Sequence, residues 1–140
     1  MPKKSIGIII ILGGYMKKII IIEDDLQLIG IYKHEFQKNG FTVIHSETGF
    51  DLVGLIKENQ PDAVLLDLLV PGIRGLELLA QLQKEGLTEK YPVITYSALA
   101  TKMVAGKSKK LGAKLHIGKS DYTSQEIVKK VLGVIKSGAR

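Results

Sequence analysis

The chain has 140 residues, 45% hydrophobic and 24% charged, with no cysteine and a net charge of +6. This is the length of one domain that can bury a real core. The lack of cysteine excludes a disulfide framework and any thiolate metal site, and no apolar run approaches the roughly 20 residues that span a bilayer. A cytoplasmic setting is expected. The charge is unevenly spread. Residues 1–89 carry 9 basic and 12 acidic side chains, a net of −3, whereas residues 90–140 carry 11 basic and 2 acidic, a net of +9. The two halves therefore face different electrostatic company.

Residues 1–15 form an N-terminal extension outside the pattern that follows; an inert tail or a start-site artefact is the expectation, because Met16 opens a complete domain start, MKKIIIIEDD. From there strands and helices alternate. Lys17–Ile22 reads as strand one. Leu26–Asn39 reads as a helix with Ile29, Tyr32 and Phe36 at helical spacing, stopped at Gly40. Phe41–His45 is strand two. A second helix is expected from about Gly49 to Asn59, opened by Thr48 with Asp51 three residues on as a capping box and closed by Pro61. The apolar run Ala63–Leu66 is strand three, ended by Asp67 and the turn residues Pro71, Gly72 and Gly75. A helix over Leu76–Glu85, a strand over Tyr91–Tyr96 and a weak helix over Thr101–Leu111, interrupted by Gly106, come next. Lys114–Ile117 is strand five. The final helix, Ser124–Lys136, carries Thr123 and Glu126 as a capping box and Ile127, Val131 and Val134 on one face.

Five strands alternating with five helices predict an α/β fold, a doubly wound five-stranded parallel sheet in the order 2-1-3-4-5. That order puts a topological switch point between strands one and three, and ligands collect at the carboxyl edge there. Glu23-Asp24-Asp25 follows strand one and Asp67 follows strand three. Ser97 ends strand four, and strand five runs into Lys119. Clustered carboxylates repel unless a cation joins them, and an all-oxygen site with few protein ligands suits Mg²⁺. A carboxylate nucleophile, a divalent ion, a hydroxyl and an ammonium are the equipment of phosphoryl transfer.

With these residues in place, IIIIEDD, PDAVLLDLLVPGIRGLELL, PVITYSA and LGAKLHIGKS, the chain resembles the receiver domain of two-component response regulators over residues 16–138, a flavodoxin-like topology. The resemblance implies that Asp67 accepts a phosphoryl group from a histidine kinase or phosphotransfer protein. It implies that Glu23, Asp24, Asp67 and the main-chain carbonyl of Leu69 hold Mg²⁺, that Ser97 and Lys119 contact the phosphoryl group, and that Asp25 caps the first helix. The family's switch pair falls on Ser97 and His116, and its water-flanking positions on Leu69 and Leu99. Such a domain is a phosphoacceptor and not a turnover enzyme. Ser120 stands where the family usually has a cis proline, and a cis bond to serine would cost about 3–4 kcal/mol, so a trans bond is expected.

The chain ends just after the fifth helix, so output is expected through a separate downstream protein partner, docked on the lysine-rich face of the fourth helix and fifth strand. The alternative is a binding module of the same fold that is never phosphorylated. A flavin carrier is excluded, since Glu-Asp-Asp after strand one would repel an uncompensated phosphate. Nucleic-acid binding is not expected either: no aromatic interleaves the lysines of residues 102–119 to stack on bases.

Overall fold

The computed structural model describes residues 17–70, 74–98 and 101–138. The extension, Met16, the Pro71–Gly72 turn and Leu99 lie outside these. Five strands, β1 (Lys17–Ile22), β2 (Phe41–Ser46), β3 (Ala63–Asp67), β4 (Val93–Ser97) and β5 (Leu115–Gly118), form one parallel sheet in the order β2-β1-β3-β4-β5. The main helices are α1 (Leu26–Lys38), α2 (Leu52–Asn59), α3 (Gly75–Lys84), α4 (Lys102–Lys110) and α5 (Ser124–Gly138). A sixth, Leu87–Lys90, is a single turn ahead of β4.

The unbroken apolar strands are buried on both faces because alternate residues feed two cores. Ile19, Ile21, Leu65 and Ile94 pack with Tyr32 and Phe36 of α1 and Ile127 and Val131 of α5. Ile20, Ile22, Leu66 and Val93 pack on the other side with Leu52 and Ile56 of α2 and Leu79 and Leu82 of α3. Each such side chain contributes on the order of 1.5–3 kcal/mol by leaving water. Asp25 caps α1, its Oδ1 accepting from the amides of Gln27 and Leu28 at 2.9 and 3.2 Å. The capping box at α5 also forms: Thr123 N donates to Glu126 Oε1 at 2.8 Å, and Glu126 N donates to Thr123 Oγ1 at 3.1 Å.

Three local expectations are corrected. α2 starts at Leu52, not Gly49, and Asp51 makes no side-chain cap. Gly49 takes a left-handed φ of +74°, and Ser46 Oγ donates to Asp51 Oδ1 at 3.0 Å, which diverts the carboxylate from the helix. β4 begins at Val93 rather than Tyr91, because the turn Leu87–Lys90 and Pro92 delay entry into the sheet; it runs on to include Ser97. The buried stripe of α5 is Ile127, Val128, Val131 and Ile135, with Val134 only at its edge.

One glycine fixes the distance between α3 and the end of β3. A Cβ on Gly75 would lie 2.5 Å from Leu68 Cα and 2.7 Å from its carbonyl oxygen, so the helix start rests directly on the backbone after Asp67. Gly75→Ala is expected to cost on the order of 1–3 kcal/mol through this clash, read as a lowered urea midpoint. An unchanged midpoint would contradict the close approach.

Candidate phosphoacceptor site

Parallel register gathers the polar residues at one edge. Ile22 of β1 aligns with Leu66 of β3, so Glu23 and Asp67 leave the sheet side by side. Asp67 aligns with Tyr96, and Ser97 with Gly118, which brings Lys119 to the same edge. Asp67 is buried, and its two oxygens have different partners: Oδ1 accepts from Leu69 N at 2.9 Å, and Oδ2 from Lys119 Nζ at 2.9 Å. Lys119 Nζ also lies 2.7 Å from Glu23 Oε1, so one ammonium bridges two carboxylates.

Glu23 is fully buried. A buried carboxylate without donors would take up a proton, but here Oε1 accepts from Lys119 and from the Tyr96 hydroxyl, and Oε2 from Asp25 N at 2.9 Å. Burial pushes Glu23 up, yet these donors outweigh it and hold the carboxyl below its ordinary value. Burial wins at Asp67, raising it against the opposing Lys119 and Leu69 amide. Burial lowers Lys119, but its two carboxylates more than compensate and keep it charged. Asp24, by contrast, is exposed. One oxygen from each of Glu23, Asp24 and Asp67 lies within 4.8 Å of the others. This donor set, all oxygen and open to water through Asp24, fits a hard divalent cation such as Mg²⁺.

Ser97 is buried at the end of β4. Beside it a cleft of about 360 Å³ is lined by Leu68, Leu69, Arg74, Gly75, Leu76, Glu77, Ser97 and Val104. Leu69 is half exposed there. The bond from Lys119 to Ser120 is trans, since no described peptide bond is cis, and Lys119–Asp121 forms a 3₁₀ turn. Lys119 reaches both carboxylates from that turn without the family's proline.

The fold and the sequence both have counterparts among known proteins. The profile of the response regulator receiver domain covers residues 19–132. The chain belongs to the response regulator receiver family. Among solved structures it is similar to the receiver domain of the Francisella response regulator 1452, at 25% identity over 88% of this chain and 99% of that one, with a TM-score of 0.77. It is also similar in fold to a putative response regulator from Chloroflexus aurantiacus (24% identity, 86% and 98% coverage, TM-score 0.75). A third is a CheY-like receiver domain from Methanospirillum hungatei (21%, 87% and 95%, 0.76).

Within this receiver domain some contacts were not anticipated from sequence. His116 Nδ1 lies 2.8 Å from Thr95 Oγ1, which in turn meets Ser108 Oγ of α4, a polar chain that runs from β5 through β4 into a helix. His116 Nε2 is buried without a hydrogen-bond partner among the described residues, and burial holds the imidazole below its usual pKa. His45 Nε2 donates to the carbonyl of Glu23 at 2.9 Å, tying β2 to the acid cluster. The Tyr96 hydroxyl on Glu23 was missed as well. Thr95 and Tyr96, two polar-tipped residues inside an otherwise apolar strand, are the signal that points to these contacts.

Proposed function

We propose that this receiver domain is a phosphorylation switch whose acceptor is Asp67. The observation that carries the reading is the buried Asp67 carboxylate paired to Lys119 at 2.9 Å beside the oxygens of Glu23 and Asp24. A carboxylate oxygen of Asp67 forms the new P–O bond as the P–N bond of a partner's phosphohistidine breaks, and the imidazole leaves with the electron pair and is protonated. Lys119 turns from Asp67 to the incoming phosphoryl oxygens, and the Ser97 hydroxyl donates to another, drawing the end of β4 inward. Glu23, Asp24, Asp67 and the Leu69 carbonyl would hold Mg²⁺, which when bound supplies charge neutralisation on the transferring group. The donor is a histidine kinase or phosphotransfer protein, the domain acts as acceptor and not as a turnover enzyme, and the setting is cytoplasmic. Beryllofluoride with Mg²⁺, followed by intrinsic tyrosine fluorescence, tests the site, since the chain has no tryptophan and Tyr96 lies against Lys119. A saturable change lost in Asp67→Asn supports the reading; no change in the wild type favours an unphosphorylated binding module.

The signal leaves through a basic surface. Lys102, Lys107, Lys109 and Lys110 of α4 and Lys114 before β5 are all exposed, and they favour a partner with an acidic surface. Association is expected to weaken as salt rises and to fall further in the variant Lys107→Glu/Lys110→Glu. Binding indifferent to salt and to this charge reversal would rule the surface out.

A further inference from the structure

Glu23 is held by three donors from three elements: Lys119 after β5, the amide of Asp25, and the hydroxyl of Tyr96 on β4. Tyr96 is fully buried and touches Lys119 a second way, with the ammonium 4.9 Å from its ring centroid. Its neighbour Tyr32, ring centroids 6.2 Å apart, has a buried hydroxyl without a hydrogen-bond partner among the described residues. Lys119 is shared. It cannot move onto a phosphoryl group at Asp67 without weakening its hold on Glu23, and a fully buried carboxylate that loses its cation is costly unless other donors remain.

We propose that Tyr96 is a positioning residue of the phosphoacceptor site: its hydroxyl holds the Glu23 carboxylate in place while Lys119 is released to the phosphoryl group. This rests on the reading of Asp67 as the acceptor. Tyr96 is paired with Asp67 through the backbone register of β3 and β4, but its hydroxyl acts through Glu23 and its ring through Lys119. Removing the hydroxyl leaves Lys119, among the described residues, as the remaining donor to Glu23 Oε1, so the ammonium is withheld from the reaction.

Tyr96→Phe keeps the ring over Lys119 and removes only the donor. With acetyl phosphate at saturating Mg²⁺, its phosphorylation rate constant is expected to fall about tenfold, the loss of one hydrogen bond to a charged group. Half-saturation in Mg²⁺ is expected to change less than about twofold. A rate in Tyr96→Phe equal to the wild type, measured well below the unfolding temperature, would overturn the proposal and leave Tyr96 a packing residue. A second measurement needs no phosphorylation. If Tyr96 substitutes for Lys119 on Glu23, then Tyr96→Phe and Lys119→Met together lower the urea midpoint by more than the sum of their separate shifts. Additive shifts would refute the shared hold. A wild type that takes no phosphoryl group defeats the acceptor reading, whereas the stability cycle still decides the Tyr96–Glu23–Lys119 tie.

Discussion

Mg²⁺ at 100-fold over its dissociation constant is expected to stabilise the unphosphorylated wild type by about 2.7 kcal/mol, a rise in Tm of about 8 °C, and Asp24→Asn is expected to lose most of it. The cause is the geometry of the acids. Glu23 and Asp67 already share Lys119, so their charges are partly compensated, while Asp24 is exposed and has its oxygen within 4.8 Å of theirs. A cation that binds the folded chain alone gains most from the carboxylate that has water on its other side. Removing that charge weakens binding without disturbing the buried pair. Thermal melts with and without Mg²⁺ on the two proteins check it; an equal rise in both would show that the ion binds elsewhere.

Phosphorylated Asp67 is expected to lose its phosphoryl group slowly, and Leu69→Asn to speed that loss by about tenfold, more when combined with Leu99→Glu. Hydrolysis needs a water held in line with the bond to Asp67. Leu69, two residues after Asp67, is half exposed and, with Leu68, Leu76 and Val104, gives the adjacent cleft much of its lining. The leucine side chain neither donates nor accepts a hydrogen bond, so it excludes the water without orienting it. Decay after removal of the phosphodonor is the measurement. Unchanged or slower loss in the double variant means that the leucines do not gate the water.

The sheet and its order were legible because the signals for them are local. Ile19–Ile22 and Ala63–Leu66 are apolar without interruption, and each ends abruptly in acid, which marks both a two-sided buried strand and its functional edge. The acid cluster, Asp67, Ser97 and Lys119 could then be placed from chain order alone. What failed depended on competition for side chains. Thr48 and Asp51 have the spacing of a capping box, but Ser46 captures Asp51 and the left-handed Gly49 turns the backbone away. Tyr91 belongs with the core yet stands outside β4, since its amide closes the short turn onto Leu87 O. Tyr96 on Glu23 lay beyond reach for a different reason. β1 and β4 are not neighbours; both flank β3, so the contact exists only once the register across three strands is known. The chain His116–Thr95–Ser108 is similar, joining two strands and a helix that sequence separates by up to 21 residues.

The central claim is that Asp67 takes a phosphoryl group with the help of Lys119 and the acid cluster. Incubation with acetyl phosphate and Mg²⁺, followed by intact mass and peptide mapping, tests it most directly. The wild type is predicted to gain the mass of one phosphoryl group on the peptide containing Asp67, far more slowly in Lys119→Met and not at all in Asp67→Asn or when Mg²⁺ is chelated. A wild type that stays unmodified, or a phosphoryl group found equally in Asp67→Asn, would contradict it.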